Sequence, residues 1–129
     1  MMIKKILFSI LLLAFFTGTS FAAGSNDSGS KETLYDKAVQ QIKMAKKLEK
    51  KGKTEKAIKR YERAIKFLVK SNKKKPNKAD TLNYLGFETR KIGDFENGEK
   101  YYLQGLAIEP NHIGINEYLG ELYLSLIHI

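Results

Sequence analysis

The side chains that most often carry catalysis or bind metals are few and scattered in this sequence. There are two histidines, His112 and His128, and no cysteine. His128 lies in the C-terminal segment that is treated separately below, which leaves His112. One histidine without cysteine does not predict a metal site, because zinc sites combine several such ligands. We interpret His112 as a surface turn residue and Asp94, close to Glu96, as a helix cap. With no nucleophile–base set, phosphate loop or dinucleotide fingerprint, the sequence predicts no enzyme activity, cofactor or metal.

The first thirty residues have a composition of their own. Met1–Lys5 carries two lysines, Ile6–Phe16 is almost unbroken apolar sequence, and Thr17–Ala23 is mostly small. This order is typical of a secretory signal. The alternative is a membrane anchor, although this eleven-residue stretch falls short of the roughly 20 apolar residues that span a bilayer. We expect residues 1–22 to be a cleaved signal peptide, residues 23–30 to be a flexible linker, and the protein to be periplasmic or secreted, without a lipoprotein cysteine.

Charge separates the remaining chain into a basic and an acidic half. Residues 31–78 hold eighteen Lys and Arg against five Asp and Glu, a net charge of +13, whereas residues 79–123 hold three against eight, a net charge of −5. Such asymmetry can indicate an anionic partner for the basic half. Export argues against nucleic acid, which leaves anionic lipid, lipopolysaccharide, peptidoglycan or an acidic protein. The alternative is a solvated, lysine-rich helix face.

Apolar periodicity predicts five helices and no strands. Ser30, with Glu32 in the first turn, is expected to cap the first helix, which ends at Gly52. Thr54 is expected to cap the second, which stops at Pro76. The third should span about Ala79 to Lys91. The fourth should span about Phe95 to Glu109, and the fifth should begin near Ile113. The fold class is therefore all-α, built from antiparallel helix pairs.

A Leu–Gly pair recurs after thirty-four residues, as Leu85–Gly86 and Leu119–Gly120, which is the period of a stacked helix-turn-helix array. Here the chain resembles a tetratricopeptide repeat (TPR) protein, of the exported bacterial type and truncated at the C-terminus. The resemblance implies a short α-solenoid of about 2.5 repeats within residues 31–123. The repeats would be residues 38–78, 79–112 and an incomplete 113–123. The residues that carry the repeat signature are Gly52, Ala57, Tyr61, Ala64, Leu85, Gly86, Gly93, Tyr102, Pro110, Leu119 and Gly120.

Several glycines fall within helices rather than between them. Mid-helix glycine costs about 1 kcal/mol relative to alanine, so we expect close helix packing at Gly86, Gly98, Gly105 and Gly120 to offset this cost. The alternative is that Gly98 and Gly105 mark loops. About seven residues are extra between the first two repeats, which is about two helical turns. We therefore expect a protruding basic helix end around Lys66–Lys75.

In the TPR family the first helix of each pair lines a binding groove. The groove contacts that the resemblance implies in the second and third repeats are Asn83, Phe87, Arg90, Lys91, Glu117 and Glu121. In the first repeat the corresponding positions are Ile42, Lys46, Glu49 and Lys50. An ordinary solvated face is the alternative. The regularly spaced tyrosines, including Tyr118, are interpreted as core residues.

The last six residues, Leu124–Ile129, break the repeat pattern. They read like the translation of a sequencing-library transposon end, so we expect residues 124–129 to be a non-native tail. Without a following helix, Leu119 and Leu122 would lack a packing partner. Resequencing tests this hypothesis, since a genomic stop codon directly after Ile129 would contradict it.

These patterns lead to two functional hypotheses. The first is a non-catalytic adaptor of the bacterial cell envelope that binds a peptide or helix of a protein partner in the TPR groove. The second is a basic binder of anionic envelope surfaces such as lipid headgroups, lipopolysaccharide or peptidoglycan. Salt separates the two hypotheses, because surface attraction collapses at high ionic strength.

Overall fold

A computed structural model describes residues 31–128 of the chain, and the expected signal peptide and linker lie outside this range. Its elements are five α-helices, and the described residues contain no strand. The helices are α1 (Leu34–Lys50), α2 (Thr54–Lys74), α3 (Ala79–Lys91), α4 (Phe95–Ile108) and α5 (Ile113–Ile127). The all-α prediction is therefore confirmed. Each helix packs against the next one along the chain, and α3 also contacts α5.

The beginning of each of the first two helices differs from the sequence prediction. Thr33, not Ser30, caps α1, and it forms a capping box in which its hydroxyl accepts from the Asp36 N–H and its own N–H donates to the Asp36 carboxylate. Glu32 precedes the helix, and Ser30 lies outside the described residues. Thr54 is the first helical residue of α2, and the preceding Lys53 provides no side-chain cap. The two reciprocal bonds of the capping box make Thr33 the stronger start signal.

The remaining boundaries follow the sequence closely. Gly52 and Gly93 take positive φ values of 68° and 91°, which explains glycine at both turns. Asp94 caps α4 by accepting from the Asn97 N–H at 3.2 Å, as predicted. Helix α2 continues to Lys74, so the expectation of a long, lysine-rich second helix without a long loop after it is confirmed. The expected protrusion is wrong for Phe67, Leu68 and Val69, because Leu68 is buried and the other two pack against the core.

Glycine allows the helices to approach closely at three of the four predicted positions. A Cβ on Gly86 would lie 2.5 Å from the Tyr102 ring, one on Gly98 would lie 3.1 Å from the Gly86 carbonyl oxygen, and one on Gly105 would meet the Ile115 side chain. The prediction is wrong for Gly120, which has nothing within 4 Å of such a Cβ. Its helix face points to solvent because no described element covers it there.

The core forms three apolar clusters along the helix array. Ile42 is only 3% exposed and packs in the first cluster, so the expectation that it faces a groove is wrong. Leu119 and Leu122 are buried beside Tyr102, contrary to the expectation that they lack a partner. The buried members of the three clusters are Ala38, Ile42, Ala64, Leu68, Leu82 and Leu85; Ala79, Tyr102, Ile115, Leu119 and Leu122; and Ala45, Ala57 and Tyr61.

The start of α5 depends on His112, which is more than a surface turn residue. Its Nδ1 accepts from the Ile115 N–H at 3.1 Å, and its Nε2 lies 2.9 Å from an Asp80 carboxylate oxygen. Because Nδ1 accepts, the neutral ring carries its proton on Nε2 and donates it to Asp80. His112 therefore connects the first turn of α5 to the first turn of α3. Helix α5 continues through the segment Leu124–Ile127, whose side chains are exposed.

Candidate functional site

Three helices contribute side chains to one cluster around the Phe87 ring. Lys46 Nζ lies 4.9 Å from the ring centroid, the Arg90 guanidinium 5.5 Å and Lys91 Nζ 5.7 Å. The Tyr118 ring packs against Phe87 with the ring centroids 4.8 Å apart. We call this group the Phe87 cluster; its members are Lys46, Glu49, Phe87, Arg90, Lys91, Tyr118 and Glu121.

Helical spacing explains why each helix delivers its residues together. Phe87, Arg90 and Lys91 stand at i, i+3 and i+4 on α3, so they share one face of that helix. On α1 the two members, Lys46 and Glu49, are three residues apart. On α5 the two members, Tyr118 and Glu121, are also three residues apart. Packing of α1 and α5 beside α3 then brings the three faces into contact. Only the tertiary arrangement places the Tyr118 ring against Phe87 and 5.9 Å from the Arg90 guanidinium.

Two ion pairs connect the helices across the cluster. Lys91 Nζ donates to Glu49 at 2.6 Å, joining α3 to α1, and Arg90 donates to Glu121 at 2.9 Å, joining α3 to α5. The Tyr61 hydroxyl of α2 also donates to Glu49, at 2.8 Å. The hydrogen bond from Lys91, followed by that from Tyr61, lowers the pKa of Glu49 against the opposing effect of burial. The two bonds hold Glu49 as a carboxylate between three helices.

Lys46 has no carboxylate partner among the described residues, and its ammonium group lies over the Phe87 ring. A cation above an aromatic face gains about 0.5–1 kcal/mol at an exposed site. The cluster contains three cationic side chains and two carboxylates, and Glu49 and Glu121 each pair with one cation. The cluster therefore combines an aromatic pair with one unneutralised ammonium group, which suits binding and provides no nucleophile–base pair.

Glu88 follows Phe87 on α3 and was not among the residues predicted from the sequence. Its side chain is fully buried, and neither carboxyl oxygen has a hydrogen-bond partner among residues 31–128. Burial raises the pKa of Glu88 to about 8, although Lys46 and Lys91 oppose the shift. Glu88 is three residues after buried Leu85 and four before Ile92, which packs on a core cluster. A glutamate in an apolar stripe was the signal that could have revealed it.

The structure separates the six predicted contact residues into two groups. Phe87, Arg90, Lys91 and Glu121 come together in the Phe87 cluster, and Phe87 is 8% exposed because the cations cover it. Asn83 lies elsewhere: its Nδ2 would be 2.8 Å from a Cβ on Gly114, at the start of α5. Glu117 is exposed, and its side chain makes no hydrogen bond within the described range. From the first repeat, Lys46 and Glu49 join the cluster, and Lys50 is exposed outside it.

The repeat-signature residues occupy structural positions. Gly52 and Gly93 form turns, whereas Pro110 and Gly120 are exposed. The signature residues that are buried against neighbouring helices are Ala57, Tyr61, Ala64, Leu85, Gly86, Tyr102 and Leu119. They act through packing and turn geometry. Among the described residues, no group of three His, Cys, Asp or Glu could hold a metal ion.

Comparison with protein families corrects the TPR assignment. Residues 35–86 match the model of the MIT (microtubule interacting and transport) domain. This family consists of helical protein-interaction domains, and the matched segment comprises α1, α2 and α3 as far as Gly86. The tetratricopeptide identification is therefore wrong, and the repeat boundaries and solenoid that it implied lose their support. Small residues opposite aromatic ones are needed wherever antiparallel helices pack closely, so this pattern does not distinguish the families.

The matched segment is 52 of the 129 residues, from Tyr35 to Gly86. The chain is similar to MIT domains over that segment, and the Phe87 cluster draws residues from within and beyond it. Comparison with curated proteins found no match. None of the helices within residues 31–128 is both long and apolar enough to cross a membrane.

Proposed function

We propose that this protein is a non-catalytic interaction module that binds a peptide or helix of a protein partner at the Phe87 cluster. The observation that supports this proposal most directly is the convergence of α1, α3 and α5 on one aromatic pair surrounded by cations. Aromatic and arginine side chains are enriched at binding hot spots. The similarity of residues 35–86 to a family of protein-interaction domains supports the same class of function.

Site-specific photocrosslinking tests where the partner binds. A photoreactive phenylalanine analogue replaces exposed Glu117, next to Tyr118, or exposed Lys59 on α2 as the matched control. We expect a discrete protein adduct from position 117 in an envelope extract and none from position 59. Phe87→Ala, introduced together with the probe, should abolish the adduct. An adduct that is equally strong at both positions and survives Phe87→Ala would contradict the proposal.

A second function is favoured by the basic half of the chain. Among residues 31–128, no ion pair involves any Lys or Arg of residues 31–78, although that segment has a net charge of +13. We propose that this charge attracts the protein to anionic envelope surfaces. Binding to phosphatidylglycerol vesicles should be strong in about 0.05 M salt and lost in about 0.5 M salt, because screening shortens the range of attraction. Binding that withstands the higher salt concentration, or that Phe87→Ala abolishes, would instead indicate the Phe87 cluster.

The proposed location is the periplasm or the exterior of a bacterial cell, in an envelope complex. This proposal depends on the amino-terminal sequence pattern, which lies outside the described residues. We expect that expression of the whole chain in a bacterium with a secretion system removes residues 1–22. Intact-mass measurement of the mature protein checks this outcome. Retention of the full amino-terminal segment in the membrane fraction would favour an anchor instead.

A further inference from the structure

A pocket of about 240 Å³ lies at the opposite end of α1 and α3 from the Phe87 cluster. Its lining comes from the first turn of α1, the end of α2, the loop that follows it and the first turn of α3. The lining residues are Tyr35, Ser71, Lys75, Lys78, Asp80 and Thr81. The pocket shares no residue with the Phe87 cluster, so a ligand bound there would be independent of the proposed function.

Three of the residues that line the pocket, Tyr35, Ser71 and Thr81, carry hydroxyl groups. Thr81 is only 4% exposed, yet its hydroxyl has no hydrogen-bond partner within residues 31–128. The hydroxyls of Tyr35 and Ser71 have none in that range either. A hydroxyl on the wall of an open pocket can donate a hydrogen bond to a ligand bound there. Thr81 is thus a nine-tenths buried polar group on the wall of a cavity.

The start of α3 adds backbone donors to the same pocket. Lys78 is the N-cap residue and makes no side-chain capping bond, so no side chain satisfies the N–H groups of the first turn. Uncapped N–H groups and the helix dipole together favour an anion. The loop between α2 and α3 is short, and Lys75 and Lys78 within it both line the pocket.

Charge in the pocket also favours an anion. Lys75 and Lys78 line it and form no ion pair among the described residues, whereas Asp80 is the one acidic lining residue. His112 holds the Asp80 carboxylate at 2.9 Å, from outside the lining. The lining residues carry two ammonium groups and three hydroxyls against one carboxylate, and the uncapped start of α3 adds free N–H groups. A carboxylate ligand has two acceptor oxygens, but a phosphate monoester has three terminal oxygens, which suit this number of donors.

We propose that the pocket between α1, α2 and α3 binds the phosphate group of a phosphate monoester. Lys75 and Lys78 would neutralise the phosphate, while the Thr81 and Ser71 hydroxyls and the N–H groups of α3 would donate to its oxygens. The volume of the pocket exceeds that of the phosphate alone, so part of the esterified alcohol would also be enclosed. The source of the monoester is either a soluble metabolite or the headgroup of a phosphatidate-type lipid.

Backbone amide NMR during titration with inorganic phosphate, at constant ionic strength, tests the proposal. We expect saturable shifts of the Lys78, Ala79 and Thr81 amides. Lys75→Ala with Lys78→Ala should weaken the affinity by roughly tenfold or more. The control pair Lys59→Ala with Lys66→Ala removes the same charge from exposed positions on α2 outside the pocket and should leave the affinity unchanged. The proposal would be overturned if both double variants lost affinity for phosphate equally, or if the amide shifts did not saturate.

Two single variants separate pocket chemistry from general attraction. Thr81→Val removes the hydroxyl and should weaken phosphate binding, whereas Thr81→Ser keeps a hydroxyl and should retain it. Asp80→Asn removes the opposing charge and should tighten binding; weaker binding would contradict an anionic ligand. Glycerol 3-phosphate and phosphatidate vesicles then identify the source. Binding of either ligand supports the proposal if the double variant at Lys75 and Lys78 no longer binds that ligand. The proposal is refuted if inorganic phosphate and both ligands fail to bind.

Discussion

The Gly86 backbone on α3 lies directly against the Tyr102 ring on α4. A Cβ at Gly86 would be 2.5 Å from two carbons of this ring, and Tyr102 is fully buried. The ring cannot move aside without displacing the second core cluster around it. The separation of α3 from α4 therefore depends on the absence of a side chain at position 86.

Gly86→Ala should destabilise the protein by about 1–3 kcal/mol, because overpacking a filled contact outweighs the better helix propensity of alanine. Gly120→Ala is the matched control on α5, where a Cβ meets nothing within 4 Å. There the same substitution should stabilise by about 0.5–1 kcal/mol. Urea unfolding measures both free energies. A neutral result at position 86 would show that α3 and α4 can separate at little cost.

The buried carboxyl of Glu88 predicts that stability falls as pH rises. Burial raises its pKa in the folded protein to about 8 from a usual value of 4.5, so the folded state retains a proton that the unfolded state loses. The contribution of the protonated Glu88 carboxyl to the free energy of unfolding is fully present below pH 4.5 and is lost as the pH rises towards 8. At about 1.4 kcal/mol per unit, the loss is on the order of 5 kcal/mol.

Substitution at position 88 checks this pH dependence. Glu88→Gln keeps the shape and removes the titrating group, so its free energy of unfolding should change much less between about pH 5 and pH 8. Glu62→Gln removes an exposed carboxylate on α2 and should retain the pH dependence of the original chain. Denaturation at several pH values provides the measurement. An unchanged slope in Glu88→Gln would assign the pH dependence to other groups.

Two buried tyrosine hydroxyls predict opposite responses to the same substitution. The Tyr61 hydroxyl donates to Glu49 at 2.8 Å, whereas the Tyr102 hydroxyl has no partner among the described residues. Tyr61→Phe should cost about 1 kcal/mol, since it removes a bond to a carboxylate. Tyr102→Phe should be neutral or stabilising, because it removes a buried hydroxyl that makes no hydrogen bond to compensate for its burial. Thermal unfolding compares the stability of the two variants. A larger loss of stability for Tyr102→Phe than for Tyr61→Phe would contradict the prediction.

The capped and uncapped starts of α1 and α2 predict a third contrast. Thr33→Ala removes the capping box and should destabilise the protein by about 1 kcal/mol. Lys53→Ser replaces an uncapped position that carries a positive charge at the positive end of the α2 dipole, and it should be stabilising. Chemical denaturation of both variants tests the prediction. If Thr33→Ala has no effect, the first turn of α1 contributes little to global stability.

Local features were readable from the amino-acid sequence alone. The bounds of α3, the Asp94 cap and the turns at Gly52 and Gly93 follow from short-range rules of periodicity, capping and positive φ. The predicted cap of the first helix is wrong because Ser30 and Thr33 are both suitable residue types. Only the reciprocal bond with Asp36 distinguishes them.

The family assignment and the site required more than local pattern. A small residue opposite an aromatic one, as at Gly86 and Tyr102, satisfies any close helix pair and misled the family assignment. Tertiary packing alone decided that Phe87 meets Tyr118, that Asn83 instead faces Gly114, and that Glu88 is buried without a partner within residues 31–128. Helical spacing determines which residues share a face of one helix, but the crossing of separate helices determines which faces meet.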